Sequence, residues 1–242
     1  MTSISIVIPA YNEGLRLPAT LNAVLAYLGA RDWSFSEILL VDDGSTDDSA
    51  AVARQFQAGH PNLRLLRNPG NRGKGYSVRH GMLEARGDWR LFSDADLSAP
   101  IQELDQLLAA VRQRGASIAI GSRALDRSLI RIHQSIFREN AGRIFNLCVR
   151  LFTGLPFWDT QCGFKLFEAR AAREVFRRQQ IERFGFDVEV LFIARKLGFN
   201  IVEVPVRWSH SEGTKVSMLR DSLNMFLDLG RIRRSQWKGR YR

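Results

Sequence analysis

Short apolar runs, each closed by an acidic or glycine-containing turn and separated from the next by a helix-length segment, constrain this chain more than any other feature. Ile4-Ser-Ile-Val-Ile8 stops at Pro9, and Ile38-Leu-Leu-Val41 stops at Asp42-Asp43-Gly44. The pattern predicts helices over 47–57, 75–85 and 101–114, with extended segments over 63–66, 89–92 and 117–120 between and after them. Strands that alternate with helices are joined in parallel, because a crossover long enough to return the chain is itself a helix. The expected fold class is therefore α/β, a mainly parallel sheet with helices on both faces. Open sheets of this kind bind ligands beyond the carboxyl ends of their strands. Here those ends are polar and acidic.

Past Arg123 the alternation weakens. A long helix is expected over 134–152, a turn-rich stretch over 154–163, a helix over 186–197, a strand over 201–206 and a basic amphipathic helix over 218–234. No repeat, low-complexity run or linker interrupts the 242 residues, and 45% hydrophobic content suffices for one sizeable core. The expectation is a single domain over 1–242, with a first half, 1–123, and a second half, 124–242, that elaborates it.

Two cysteines, Cys148 and Cys162, are too few for a disulfide framework and lack metal-ligand spacing, which favours a reducing compartment. The sequence enters an apolar strand almost at once, shows no signal-peptide pattern, and holds no run of the ~18 to 20 apolar residues a membrane span needs. The expected location is cytoplasmic. A net charge of +10 calls for an anionic partner: nucleic acid, an acidic membrane or a phosphorylated substrate. From Arg231 to Arg242 there are six basic residues and no acidic one, with Ile232, Trp237 and Tyr241 interleaved, so the tail could lie on a lipid surface or stand in solvent.

Asp94-Ala95-Asp96 is the strongest local signal. Two carboxylates two residues apart, where an extended chain leaves a sheet, can meet a hard divalent cation that bridges a diphosphate. An isolated Asp-x-Asp is common in surface turns; the strand-end position is what gives it weight. Asp42 and Asp43 follow another strand and could accept hydrogen bonds from a nucleobase or ribose, whereas Asp47 and Asp48 read as cap and turn residues. Pro9-Ala-Tyr11-Asn-Glu13 stands where a dinucleotide-binding protein places a glycine-rich turn, and offers a stacking face and an acceptor instead. Asn71-Arg-Gly-Lys74-Gly75 joins flexible glycines to two cations without being a Walker loop.

Taken in order, Pro9-Ala-Tyr-Asn-Glu13, Val41-Asp-Asp-Gly-Ser45, Asn71-Arg-Gly-Lys-Gly75, Asp94-Ala-Asp96 and Gly121-Ser-Arg123 resemble glycosyltransferase family 2. The resemblance implies the A-type glycosyltransferase fold, a Rossmann-like domain that uses a nucleoside diphosphate sugar with Mg2+ or Mn2+. In the second half, Asp159-Thr-Gln-Cys-Gly-Phe-Lys-Leu-Phe167, Phe184-Gly-Phe-Asp-Val-Glu189 and Glu203-Val-Pro-Val-Arg-Trp208 are similar to the dolichyl-phosphate glucosyltransferases, which move glucose from UDP-glucose to a polyprenyl phosphate. Polyprenyl-phosphate mannose synthases usually carry Gln two residues after the second Asp of the metal motif; Ser98 here favours the glucosyl branch over a GDP-mannose enzyme. The eukaryotic glucosyl enzymes also carry an N-terminal membrane anchor absent from these residues, so the resemblance implies a transferase acting peripherally at the cytoplasmic face of the membrane.

On that resemblance Asp94 and Asp96 are the metal ligands, and Pro9, Tyr11, Glu13, Asp42, Asp43, Lys74, Asp94 and Ala95 bind the donor. Arg123, Arg138 and Lys215 are the cations expected to position the acceptor phosphate, with Arg123 and Arg138 carried over from the mannose synthases and counted with Asp94 and Asp96 as catalytic. A lipid phosphate is already anionic and needs no base. The rival within the family, transfer to a sugar hydroxyl, needs a carboxylate base, for which Asp159 and Asp187 are the candidates. A nucleic-acid-binding module would explain the charge but not the acidic strand ends, and no nucleic-acid partner is expected. His60, His80 and His133 read as surface or packing residues, His210 as a possible acceptor-site residue. Phe152 reads as core, and Phe157 and Trp158 as lipid-facing.

Overall fold

The structure, a computed structural model, describes residues 2–132, 135–210 and 218–242; of residues 136–138 and 218–222 it describes the backbone alone. Seven strands form the main sheet: β1 (Ser3–Ala10), β2 (Phe35–Asp42), β3 (Leu63–Arg67), β4 (Trp89–Ser93), β5 (Ile118–Ser122), β7 (Phe164–Glu168) and β8 (Ile201–Pro205). Their order is β3-β2-β1-β4-β7-β5-β8, and β6 (Ile130–Ile132) pairs separately with β9 (Trp208–Ser209). Every neighbouring pair in the main sheet is parallel except β4 with β7 and β7 with β5. The sheet is thus mainly parallel, with one reversed strand near its middle.

Side chains alternate across a strand, and β1 shows why both faces must be covered. Ile4, Ile6 and Ile8 pack under α1 (Leu17–Gly29), α2 (Ser49–Gly59) and α4 (Leu104–Arg114). Val7, with Leu39 and Val41 of β2, turns the other way and packs under α3 (Lys74–Glu84), α6 (Ala169–Arg178), α7 (Phe186–Lys196) and α8 (Met218–Trp237). The remaining helix, α5 (Ile136–Thr153), lies against α8 through an edge-to-face contact of Phe145 and Phe226 at 5.3 Å.

The expected elements of the first half are present with small shifts. One has a visible cause: the second helix begins at Ser49 rather than Asp47, because the Asp47 carboxylate accepts the Ser49 N–H at 3.0 Å and so sits outside the helix. The sequence reading missed β7 and α6, which occupy 164–178. Phe164-Lys-Leu-Phe-Glu lacks clean alternation: Lys165 is fully buried among apolar neighbours, so a charged residue occupies a core position.

Candidate active site

Because β1, β2 and β4 run parallel, their carboxyl ends share one rim. The order reverses at β1, whose chain continues to β2 on one side while β4 lies on the other, and ligand crevices form at such points. β7 runs the opposite way, so its beginning, not its end, reaches that rim: Phe164 pairs with Ser93 and Lys165 with Ile120. The segment 159–163 therefore enters the site from the second half of the chain.

Asp94-Ala-Asp96 sits at the centre, anchored from three directions. The Asp94 N–H donates to the Gly163 carbonyl at 3.1 Å. The Thr20 hydroxyl of α1 donates to the Ala95 carbonyl at 2.6 Å. The Asp96 carboxylate accepts the Ser98 N–H at 2.9 Å, across Leu97, whose φ of 46° is unusual for a branched residue and marks backbone held by its surroundings. Gly163 lies against Asp94 so closely that any Cβ there would collide with the carboxylate. Asp94 and Asp96 both remain partly open to solvent.

Lys74 opens α3 and reaches across to Asp94, Nζ to Oδ1, at 2.7 Å. Burial lowers the Lys74 ammonium, but Asp94, with Asp187 and Asp96 farther away, outweighs it and leaves the pKa raised. Burial also pushes the Asp94 carboxyl up; Lys74 opposes the shift and the like charges of Asp96 and Asp187 add to it. The sequence reading places Lys74 among the donor-binding residues, and the fold brings it to the carboxylate pair.

Asp42 ends β2 and Asp43 is the first residue beyond it, and the two carboxylates have different partners. Both are buried. Asp42 accepts the Ser45 N–H at 3.0 Å and meets Arg67 at 3.3 Å, a partner more than half exposed. Asp43 turns toward α3, where its oxygens accept the Arg72 N–H at 3.0 Å, the Gly73 N–H at 2.8 Å and the Asn68 amide at 2.8 Å. Gly73 makes this possible with a φ of 108°, which side-chain-bearing residues rarely adopt. Asp43 thus shapes the loop that delivers Lys74. At the end of β1, the Asn12 N–H donates to Ser45 Oγ at 2.9 Å and the Glu13 N–H to Ser49 Oγ at 2.7 Å, joining the first two strand-end loops. Tyr11 and Glu13 lie half-buried on that rim.

Arg123, just past β5, is clamped by Asp159: Nε to Oδ2 at 2.6 Å, Nη2 to Oδ1 at 2.9 Å, and the Arg123 N–H to Oδ2 at 3.0 Å. The guanidinium carbon lies 5.4 Å from the Trp208 ring centroid. Burial lowers the Arg123 pKa and Asp159 more than restores it; the same pair overcomes burial at Asp159 and holds that carboxyl at about 2. Glu203 fixes the clamp from below by accepting the Trp158 and Asp159 N–H groups at 3.0 and 2.8 Å. Cys162, next along the segment, is a buried thiol pushed up to about 12, first by burial and then by Asp159, so it is not an ionised nucleophile near neutral pH. His210 stacks on Trp208, in line with a place near Arg123. Beneath the rim, Lys165 and Asp187 form a fully buried ion pair, and Lys165 also donates to the Cys162 carbonyl at 2.7 Å.

Of the remaining expected cations, Arg138 falls in the first turn of α5 with its side chain outside the described residues, and Lys215 lies outside them altogether, as does His133. The aromatic assignments reverse in part: Phe157 is buried at 6% and Phe152 is 55% exposed, whereas Trp158 is exposed as expected. The basic tail is partly built into the fold: up to Trp237 it belongs to α8, Ile232 and Tyr241 are buried, and the Tyr241 hydroxyl donates to Glu189 at 2.6 Å, whereas Trp237 stays exposed.

Residues 5–175 match the model described as glycosyl transferase family 2. This chain belongs to that family. As a glycosyltransferase of family 2 it is 40% identical over 239 residues to the dolichyl-phosphate beta-glucosyltransferase of Drosophila melanogaster, covering 93% of this chain and 73% of that protein. The human dolichyl-phosphate beta-glucosyltransferase is 36% identical over 251 residues, covering 99% of this chain and 77% of that one. Among solved structures, the Mycobacterium tuberculosis glucosyl-3-phosphoglycerate synthase with Mn2+, UDP and glucosyl-3-phosphoglycerate superimposes with a TM-score of 0.65 at 17% identity, covering 96% of this chain and 78% of the other. The shared architecture is the A-type glycosyltransferase fold.

Proposed function

We propose that this family 2 transferase moves glucose from UDP-glucose onto a polyprenyl phosphate, with inversion at the anomeric carbon, to give a beta-linked lipid phosphosugar. The observation that carries the reading is the pairing, on one rim, of an open Asp94/Asp96 carboxylate pair with a clamped guanidinium at Arg123, in a chain whose 34–40% identical relatives are dolichyl-phosphate beta-glucosyltransferases.

Two carboxylates, with no third acid or His grouped beside them among the described residues, suit a divalent cation that keeps water and phosphate oxygens as its other ligands. Asp94 and Asp96 would hold Mg2+ or Mn2+, which supplies Lewis-acid neutralisation of the departing diphosphate; Mn2+ accompanies UDP in the mycobacterial structure. Lys74, now on Asp94, adds a cation at the same phosphate end. Pro9, Tyr11, Glu13 and Ala95 line the nucleotide side. Asp42, whose partner Arg67 is more than half exposed, is better placed than Asp43 to exchange that partner for a ribose or base; Asp43 spends both oxygens on the loop.

On the acceptor side, Asp159 fixes the plane of Arg123 and leaves Nη1 without a hydrogen-bond partner among the described residues. Arg123, with Arg138 and Lys215, would hold the acceptor phosphate for in-line attack, so positioning supplies the rate. The hydroxyl-acceptor alternative finds little support. Asp159, at about 2, is too weak a base, and Asp187 is spent on Lys165. A lipid acceptor also implies work at a membrane surface, on the cytoplasmic side where nucleotide sugars are held.

The test is a transfer assay with polyprenyl phosphate in detergent, Mg2+ or Mn2+, and radiolabelled UDP-glucose beside GDP-mannose. Label from UDP-glucose should enter an organic-extractable, mild-acid-labile product, and should vanish on chelation and in Asp96→Ala. Lipid product from GDP-mannose instead would assign the mannose branch, and no lipid product from either donor would remove the acceptor assignment.

A further inference from the structure

The outer faces of α5 and α8 break the usual pattern of surface helices. On α5, Ile144, Leu147 and Leu151 recur at helical spacing and are 61, 55 and 73% exposed, while Phe145 and Val149 on the opposite side are buried. On α8, Leu223, Phe226 and Leu227 share an exposed face that continues one and two turns later as Arg231 and Arg234. The contact of Phe145 with Phe226 joins the two helices, so the apolar residues flank one seam. Between Asn140 and Trp158 the sequence has no acidic residue, and the sole acid from Leu223 to Lys238, Asp228, is buried and paired with Arg231. The exposed face is therefore apolar with a cationic rim, and among the described residues no helix is long and apolar enough to cross a bilayer.

We infer that this α5–α8 face seats the protein on the surface of a bilayer containing anionic lipid, its leucines entering the acyl boundary and its arginines meeting the headgroups. Apolar insertion with a basic rim is the chemistry of helices that lie in a membrane interface. A second copy of the chain is a poorer occupant, because a two-fold contact would set each basic rim against its counterpart. The face is also continuous with the site. Trp158, 55% exposed and covered on one side by Arg150 at 4.3 Å, is followed directly by Asp159, the residue that clamps Arg123. Glu203 makes that junction rigid through both backbone N–H groups. Seating the face thus sets Arg123 at headgroup depth, a consequence that rests on the lipid-phosphate acceptor proposed above, whereas the seating itself does not.

The experiment is co-sedimentation of the full chain, without substrates, with phosphatidylcholine vesicles and with vesicles that also contain phosphatidylglycerol. The unmodified protein should bind the anionic vesicles more tightly, and Leu147→Glu with Leu151→Glu should weaken that binding by about tenfold or more. Leu147→Met with Leu151→Met should preserve it. Thermal unfolding and UDP binding should be unchanged in both, which separates lost docking from lost folding. Absence of vesicle binding by the unmodified protein, or equal binding by the glutamate variant, would overturn the inference, as would a dimer in ultracentrifugation that the glutamates dissociate while vesicle binding is absent. Vesicle binding without transfer to lipid phosphate would instead count against the acceptor reading alone.

Discussion

Asp159 shows how one carboxylate links stability to function. Its folded pKa of about 2 lies below the ~3.9 of an unperturbed aspartate, so its contribution to stability is complete above that ordinary value and is lost as pH falls from about 4 through about 2. Thermal unfolding followed across that window should give a shallower pH dependence for Asp159→Asn than for the unmodified protein. At neutral pH the same change should cost about 2 to 3 kcal/mol, the lower side of what removing one partner of a buried pair costs, because Arg123 keeps 28% exposure. Acceptor KM should rise while UDP affinity holds, since the clamp and the carboxylate pair are separate. Gly163 makes the complementary case. In Gly163→Ala the new methyl must displace the Asp94 carboxylate at a strain of about 1 to 3 kcal/mol. Transfer should fall by about tenfold or more, with weaker Mn2+ binding in a titration of the folded protein.

At the scale of elements, α8 is a structural helix as well as a basic one. Leu229 and Ile232 are buried in the same core cluster as the apolar residues of α7, and beyond the helix Tyr241 packs its ring 6.0 Å from Phe192 while its hydroxyl meets Glu189. Glu189 in turn accepts the Gln180 and Ile181 N–H groups, which close the loop after α6. Ile232→Ala should therefore cost about 2 to 4 kcal/mol, measured by denaturant unfolding, and removal of everything after Gly230 should cost more. Loss of liposome binding in such a truncation would confound unfolding with docking, which is why surface leucines are the better probe. The long second-half motifs gain their meaning here. Glu203 and Asp159 support Arg123, Asp187 neutralises Lys165, and Glu189 holds the C-terminal segment, so most of these residues position the site rather than line it.

For the whole molecule, the decisive element is β7. It comes from residues 164–168 yet lies between β4 and β5, so the two halves of the chain share one sheet. A fragment ending at Arg123 would leave β4 and β5 without the strand that joins them and expose the apolar face that α6 and α7 cover. Expressed alone, residues 1–123 should lack a cooperative unfolding transition and show no near-ultraviolet circular dichroism of packed aromatics. What the sequence determined by itself was the periodic part: apolar runs fixed the parallel strands, strand-helix alternation fixed the fold class, and acidic strand ends marked the rim where Asp94 and Asp96 stand. Such signals are local, because a strand's pattern and its terminating turn are adjacent in the chain. Tertiary structure decided the rest. Only the antiparallel insertion of β7 brings Asp159 to Arg123 and Gly163 to Asp94, partners 36 and 69 positions apart, and only packing shows that Lys74 pairs with a carboxylate, that Tyr241 is interior and that the leucines of α5 are not. Contacts made across the sheet depend on strand order, and strand order leaves no periodic trace in a single sequence.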